Sequence, residues 1–370
     1  MKNNSVYRAD QVGSLHRPKS VLDARLSFTR GELSQEKLTE IEDEAILAAI
    51  QKQEQIGFPV VTDGEFRRES FLTNMQRAVS GFSNHKVKMN WRGGDGEPIT
   101  EGSASVVGAP LAYNGGRMND HEASFLKANA KKPFKMTVPS ASMYADMGFM
   151  PGLTDQFYND PYELLSIFAE VVRDEVQALV DDSVEYVQID NSTYPHLMDP
   201  EQTKGLMAKK LEPKRWLDEA IAADNASIAV KRNETTVFGF HICRGNLKGR
   251  WRSQGGYDYV ADKLFNGLNV DRFLLEYDDE RSGSFDPLRF VPKGKYVVLG
   301  LVTTKDGTLE RLDDMVRRVE AASRFVPVEY LAVSPQCGFA SVADQGDVMS
   351  IEQQWRKLEL VLEVANKVWG

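Results

Sequence analysis

Residues 160–190 read DPYELLSIFAEVVRDEVQALVDDSVEYVQID. An amphipathic helical stretch, Asp160–Asp182, runs into a short apolar, β-branched segment, Tyr186–Ile189, which stops at the carboxylate Asp190. The same alternation extends in both directions. Further strands are predicted at Ala9–Gly13, Pro59–Thr62, Phe134–Val138, Val237–His241, Arg272–Leu275, Tyr296–Leu301 and Tyr330–Val333. Helical patterns lie between and after them at Gln35–Gly57, Pro200–Ala226, Thr308–Phe325 and Ile351–Trp369. In the first of these, Leu38, Ile41, Ala45, Ala48 and Ala49 fall on one face at 3.6 residues per turn. Alternating strands and helices point to an α/β protein with a parallel sheet covered by helices. Eight such units favour a closed (β/α)8 TIM barrel over an open sheet. The chain is therefore expected to be one barrel domain over residues 1–370. An insertion at about 80–132, after the second strand, holds Trp91-Arg92-Gly93-Gly94-Asp95-Gly96 and little helical period. Long insertions of this kind often act as lids or binding loops. A smaller glycine-rich break is Arg250–Gly256.

The chain has 370 residues, 42% hydrophobic and 27% charged, as expected for an ordinary soluble globular protein. Its net charge of −9 gives no global basic field for nucleic acid or anionic lipid. No apolar run approaches the roughly 20 residues needed to span a bilayer. The opening residues MKNNSVYRADQVGS lack the apolar stretch of a secretion signal, so a cytoplasmic location is expected. The two cysteines, Cys243 and Cys337, are then expected as free thiols or metal ligands rather than a disulfide.

Reactive residues gather at the C-terminal ends of the predicted strands, where barrel active sites are built. Asp63-Gly64-Glu65 ends the second strand, Asp190 the fourth, His241-Ile242-Cys243 the fifth and Glu276 the sixth; Lys305 follows the seventh and Cys337 the eighth. His241 and Cys243 are two apart, so in an extended segment both side chains face one way. One imidazole, two thiolates and one carboxylate suit tetrahedral Zn2+. The alternative is plain core packing, a common fate of free cysteine.

Taken as an ordered set, Val12-Gly13-Ser14, Thr62-Asp63-Gly64-Glu65, Gln188-Ile189-Asp190, His241-Ile242-Cys243-Arg244-Gly245-Asn246, Glu276 and Ser334-Pro335-Gln336-Cys337-Gly338 resemble the catalytic domain of cobalamin-independent methionine synthase, and most closely its single-barrel members. The resemblance runs from about Arg8 to the C-terminus. It implies a (β/α)8 barrel with zinc at its mouth, held by His241, Cys243, Glu276 and Cys337. In that family the zinc keeps an acceptor thiol as a thiolate, which attacks an electrophilic methyl or alkyl carbon. Glu276 would be the ligand displaced by the incoming sulfur. The resemblance also places Ser14 at the substrate carboxylate and Glu65 and Asp190 at the ammonium of homocysteine. Read from the residues alone, Ser14 is alternatively a helix N-cap, Glu65 an ion-pair partner of Arg67 or Arg68, and Asp190 an Asx-turn residue.

The chain departs from the family pattern in three ways. It has room for one barrel where full-length enzymes carry two. Asn191-Ser192 stands where the family has Glu-Pro, at a pterin contact. Lys305 stands where the family has a histidine proton shuttle; an ordinary lysine is a poor acid at neutral pH. Tyr158, Tyr194, His196 and Trp251 are candidates for the donor side of the pocket, and His16 for a substrate contact; His85 and His121 are expected at the surface. The implied activity is zinc-dependent methyl transfer from a methyltetrahydrofolate-type or other donor to a thiol, with homocysteine as acceptor and methionine as product. The competing readings are a zinc alkyltransferase or lyase on another thiol such as coenzyme M, a binding protein for zinc or thiols, and a metal-free barrel enzyme using Asp63, Glu65 and Asp190. No nucleic-acid or membrane partner is expected, and homo-oligomerisation is left open.

Overall fold

Strands covered on both faces read as near-continuous apolar runs, and that is how the predicted strands behave. A computed structural model describes residues 7–370 apart from 86, 88, 94–98, 101–105, 345 and 347, with backbone alone at 99 and 100. In chain order its strands are Val79–Ser83 (β1), Asn90–Trp91 (β2), Ile99–Thr100 (β3), Val106–Tyr113 (β4), Lys135–Pro139 (β5), Tyr186–Asn191 (β6), Val237–Ile242 (β7), Arg272–Glu276 (β8), Tyr296–Val302 (β9) and Leu331–Pro335 (β10). The last six form one parallel sheet in the order β10-β9-β8-β7-β6-β5. Apart from Tyr296, every residue in them is buried.

The first two predicted strands appear only as single parallel bridges at the sheet edges, Ala9 with Val333 and Val61 with Phe134. Among the described residues no ladder joins these two segments to each other. The physical reason is Gln53. Its side chain accepts from the Thr62 N–H (2.9 Å) and donates to the Thr62 carbonyl (2.9 Å), taking the places of a ladder partner. The two segments meet instead through Thr62 Oγ1 donating to the Gly13 carbonyl (2.7 Å), Gln11 Nε2 donating to the Val60 carbonyl (3.0 Å) and Leu15 N–H donating to the Gly64 carbonyl (3.0 Å).

The helices follow their caps and periodicities. Pro161–Asp181 starts behind Asp160, whose side chain accepts from the Tyr162 N–H, and buries Leu164, Leu165, Phe168, Val172, Val176 and Leu179. Gln35–Gln55 is capped by Ser34, and Ile351–Trp369 by a Ser350/Gln353 capping box. The stretch expected as one helix over Pro200–Ala226 is two, Pro200–Ala208 and Pro213–Ser227. Lys210, at φ +64, turns the chain between them, and Pro213 suits a first helical turn rather than an interior.

In the 80–132 region, β1 pairs antiparallel with β4 and β2 with β3, and a helix follows at Asp120–Asn129. Of the Trp91–Gly96 motif, Gly94, Asp95 and Gly96 lie outside the described residues. At the N-terminal ends of the sheet strands, Asp10, Lys135 and Arg272 form a buried ion-pair network that includes the Tyr186 hydroxyl. The candidate site residues lie at the opposite, C-terminal ends. No helix among the described residues is long and apolar enough to cross a membrane.

Candidate metal centre and its surroundings

His241 is the fifth residue of β7 and Cys243 lies one past its end; Glu276 closes β8 and Cys337 follows β10 by two residues. Their ligand atoms all lie within 4.8 Å of one another. The two sulfurs are 3.3 Å apart and are free thiols. His241 Nδ1 lies 3.3 Å from the Leu274 carbonyl, which only accepts, so Nδ1 carries the hydrogen. Nε2 is buried and without a hydrogen-bond partner, and in the neutral ring it is a lone pair able to bind a metal. Glu276 is fully buried: Oε1 accepts from the Arg244 N–H (2.7 Å), while Oε2 accepts from Gln336 Nε2 (3.4 Å) and lies 3.6 Å from Arg281 Nη2.

A cysteine that only packs a core has apolar neighbours. Here two sulfurs share a pocket with a carboxylate and an orphaned imidazole nitrogen. The Cys337 sulfur, together with burial, pushes the Cys243 thiol well above its usual range. A divalent cation reverses that preference, because coordination deprotonates thiols. Bonds of about 2.0–2.3 Å to a tetrahedral ion set donors roughly 3.3–3.8 Å apart. The cluster is close to that size, and its donor types suit Zn2+. Glycine at 300 lets the donors converge. A Cβ on Gly300 would meet Gln336 Cα at 2.8 Å and the Leu275 carbonyl oxygen at 2.9 Å, so no larger residue lets β9 sit this closely between β8 and β10.

Beside the cluster lies an acidic pair. Asp190 faces His241 across the β6–β7 ladder and accepts from Gln188 Nε2 at 2.7 Å. Burial, reinforced by the Glu65 carboxylate, raises its pKa to about 7. Glu65 sits at φ +59, a left-handed conformation rare outside glycine. Arg17 Nη2 donates to its carbonyl at 2.7 Å, Thr137 Oγ1 donates to Oε1 at 2.7 Å, and Arg68 Nη1 lies 3.3 Å away. Its Oε2 is buried with no partner. Two buried carboxylates in electrostatic reach of each other, one with a free oxygen, favour an incoming cation. Ser14 Oγ accepts from the Ala340 N–H at 3.3 Å, and the nearest helix starts later, behind Pro18, so Ser14 caps no helix. The Asx-turn alternative for Asp190 belongs instead to its neighbour. Asn191 Oδ1 accepts from the Thr193 and Tyr194 N–H groups (2.8 Å each), and its Nδ2 donates to Ser140 and Ser142.

Other predicted positions fall around this floor. Lys305 Nζ donates to the Gly245 carbonyl (2.8 Å), Asn246 Oδ1 (3.1 Å) and the Arg250 carbonyl (3.2 Å), so its three hydrogens strap down the loop after β7. Lys305→Met is accordingly expected to lower stability by about 1–3 kcal/mol. Urea denaturation measures this; an unchanged midpoint would count against the strap. His196 is buried on the turn Tyr194–Leu197, with Nδ1 3.0 Å from Asp146 Oδ2. His16 is buried, and burial next to Arg17 lowers its pKa to about 4. The Tyr158 hydroxyl accepts from the Leu111 N–H in β4. The Tyr194 hydroxyl donates to Asp224, the Trp251 ring packs under Gly93, and His85 and His121 are exposed. Arg17 and Thr137, which hold Glu65, were not singled out from sequence; Arg68 was read there as an ion-pair partner of Glu65 and does lie beside it, though buried, and Gln336 was read only as part of a motif. The types and spacings of Arg17 and Thr137 resemble those of any surface or core residue.

A parallel α/β sheet with an N/S/S/O donor cluster and an acidic pair at its C-terminal edge defines a class of candidate thiol-handling metalloproteins. A family model described as "Cobalamin-independent synthase, Catalytic domain" matches residues 8–357, and the chain belongs to that family. It is 38% identical to the uncharacterized protein YxjG of Bacillus subtilis, over 98% of this chain and 95% of that one. It is 21% identical to a methionine synthase of Pyrococcus abyssi, over 88% of this chain and 84% of that one. The structure of a B12-independent methionine synthase from Shewanella sp. W3-18-1 superposes with a TM-score of 0.76 at 19% identity, covering 98% of each chain, and shares the fold.

Proposed function

We propose that this protein is a zinc-dependent methyltransferase that moves a methyl group to the thiol of homocysteine, giving methionine. The observation that carries the proposal is the convergence of His241, Cys243, Glu276 and Cys337 beside the Glu65–Asp190 pair. Membership in the cobalamin-independent synthase family and the name of the Pyrococcus relative support the same reading. In this proposal the chain is a single (β/α)8 barrel over residues 1–370, with the segments at Ala9 and Val61 completing its eight strands and residues 80–132 inserted after the second.

Zinc, bound by the four ligands, would hold the acceptor sulfur as a thiolate at neutral pH. The chain's own residues do the rest. Glu65 and Asp190 take the ammonium through charge-assisted hydrogen bonds. Ser14 and its backbone take the carboxylate, which orients the sulfur toward the donor. Gln336 and the Arg244 N–H hold Glu276, and Arg281, itself paired with Asp278, lies beside its second oxygen and would balance its charge were the carboxylate not bound to the metal. His196 and Asn191 border the donor side, and Lys305 braces the loop above it. The donor is methyltetrahydrofolate-type or another methyl carrier. A sulfonate thiol such as coenzyme M is disfavoured, because its anionic tail would face two buried carboxylates. The proposed setting is the cytoplasm, with a small thiol and a methyl donor as partners and homo-oligomerisation left open.

The test is methyl transfer to homocysteine by the purified protein, before and after chelation. Transfer is expected to disappear with the metal and to return when zinc is added. Full activity in protein shown by elemental analysis to be metal-free would overturn the proposal.

A further inference from the structure

We infer that His196, oriented by Asp146, carries the proton in this transfer. It accepts at Nε2 the proton lost by the acceptor thiol and returns it to the nitrogen of an N-methyl donor. The inference rests on the proposed methyl transfer.

Asp146 Oδ2 lies 3.0 Å from His196 Nδ1, and a carboxylate only accepts, so Nδ1 carries the hydrogen and Nε2 is a lone pair. The second Asp146 oxygen accepts from Lys209 Nζ at 2.8 Å, which fixes the carboxylate. Burial alone would raise the Asp146 carboxyl; Lys209 and the His196 ring outweigh it and hold it well below its usual range. His196 Nε2 is buried and has no partner. An unmade hydrogen bond inside a protein costs about 1–3 kcal/mol, so a nitrogen kept this way points to a transient partner. Three elements surround the ring: the helix Ala141–Gly148 with Asp146, the segment after Pro200–Ala208 with Lys209, and the loop after β7 with Arg252. All three lie beyond the C-terminal ends of the sheet strands, after β5, β6 and β7; of these only β7 carries candidate metal ligands, and Arg252 and Ser253 on its loop donate through their N–H groups to the carbonyl of Arg244, the residue after Cys243. Burial also lowers the basicity of His196, so at neutral pH the ring is neutral and able to accept. Lys305, at the position where a shuttle was expected, has all three hydrogens engaged.

The step balances. The S–H bond of the thiol breaks and its proton moves to Nε2. The methyl C–N bond breaks as the C–S bond forms, and the proton moves from Nε2 to the leaving nitrogen. The net change is one thiol and one N-methyl amine converted to one thioether and one N–H amine.

His196→Asn keeps an N–H for Asp146 and removes Nε2. With zinc-loaded protein and 5-methyltetrahydrofolate, kcat is expected to fall about 100-fold or more, the usual scale of proton-transfer catalysis. With methyl iodide, whose leaving group takes no proton, the loss should be at least about tenfold smaller. Asp146→Asn should show the same donor-dependent split. In weak buffer, mixing the unaltered protein with homocysteine should release less acid than mixing the His196→Asn variant. Equal losses with both donors, or equal acid release, would overturn the inference. If the unaltered protein transferred from neither donor, the proposed function would fall, and acid release would still decide the role of His196.

Discussion

Changing Cys243 to serine, or Cys337 to serine, is expected to strip the protein of its metal and to lower methyl transfer by more than about 100-fold. Removing a group that merely supports a metal ligand costs roughly 10–100-fold, and removing the ligand itself should exceed that. A serine hydroxyl does not ionise near neutral pH, so the site would keep one imidazole, one thiolate and one carboxylate. The sulfurs lie 3.3 Å apart and come from the ends of two different strands, so each fills its own corner of the donor set and neither can stand in for the other. Elemental analysis and chelator competition report the metal, and methyl transfer reports the chemistry. A serine variant with wild-type zinc content and wild-type rate would remove the cluster from the mechanism.

The second large effect is expected at Arg68, on stability. Its side chain is about 1% exposed and donates to Glu122 Oε2 through both Nε (3.0 Å) and Nη2 (2.6 Å), and to Thr137 Oγ1 through Nη1 (2.8 Å). Burial alone would raise the Glu122 carboxyl, but Arg68 outweighs it and keeps the group below its usual range. Arg68→Met leaves Glu122 charged in a dry environment and is expected to cost about 3–5 kcal/mol. Adding Glu122→Gln should recover a large part of that loss, because the stranded charge is then gone. Denaturant unfolding of the single and double variants separates the two contributions. A single variant within about 1 kcal/mol of wild type would show that the pair carries little of the fold.

These expectations drew on sequence to different depths. The helices were legible where a cap preceded a clean apolar face: Ser350 opens a helix that ends at Trp369, as predicted. The sheet strands were legible because burial on both faces makes their sequences apolar throughout. The strand at Pro59–Thr62 was read with equal ease but shrank to one bridge, since nothing local reveals that Gln53 would occupy the hydrogen bonds of Thr62. The candidate ligands were legible as a set because each ends a recognisable strand. The partners that tune the site were not. Asp146 lies fifty residues from His196 on a different helix, and Glu122 lies fifty-four from Arg68. Pairings of that range emerge only when the sheet has placed its connections side by side.

The two thiols of the cluster are separated by 94 residues of chain. They meet only after β8 and β9 have slotted between β7 and β10 and the C-terminal strand has found its register. A slip of one residue turns a strand's side chains to the opposite face, so a late folding intermediate cannot assemble the complete donor set. Metal capture would therefore act as a quality-control signal, selecting finished molecules over nearly finished ones. At a free metal concentration 100-fold above the dissociation constant, it would deepen the native basin by about 2.7 kcal/mol. Starving a cell of the ion would then lower the amount of folded protein as well as its activity.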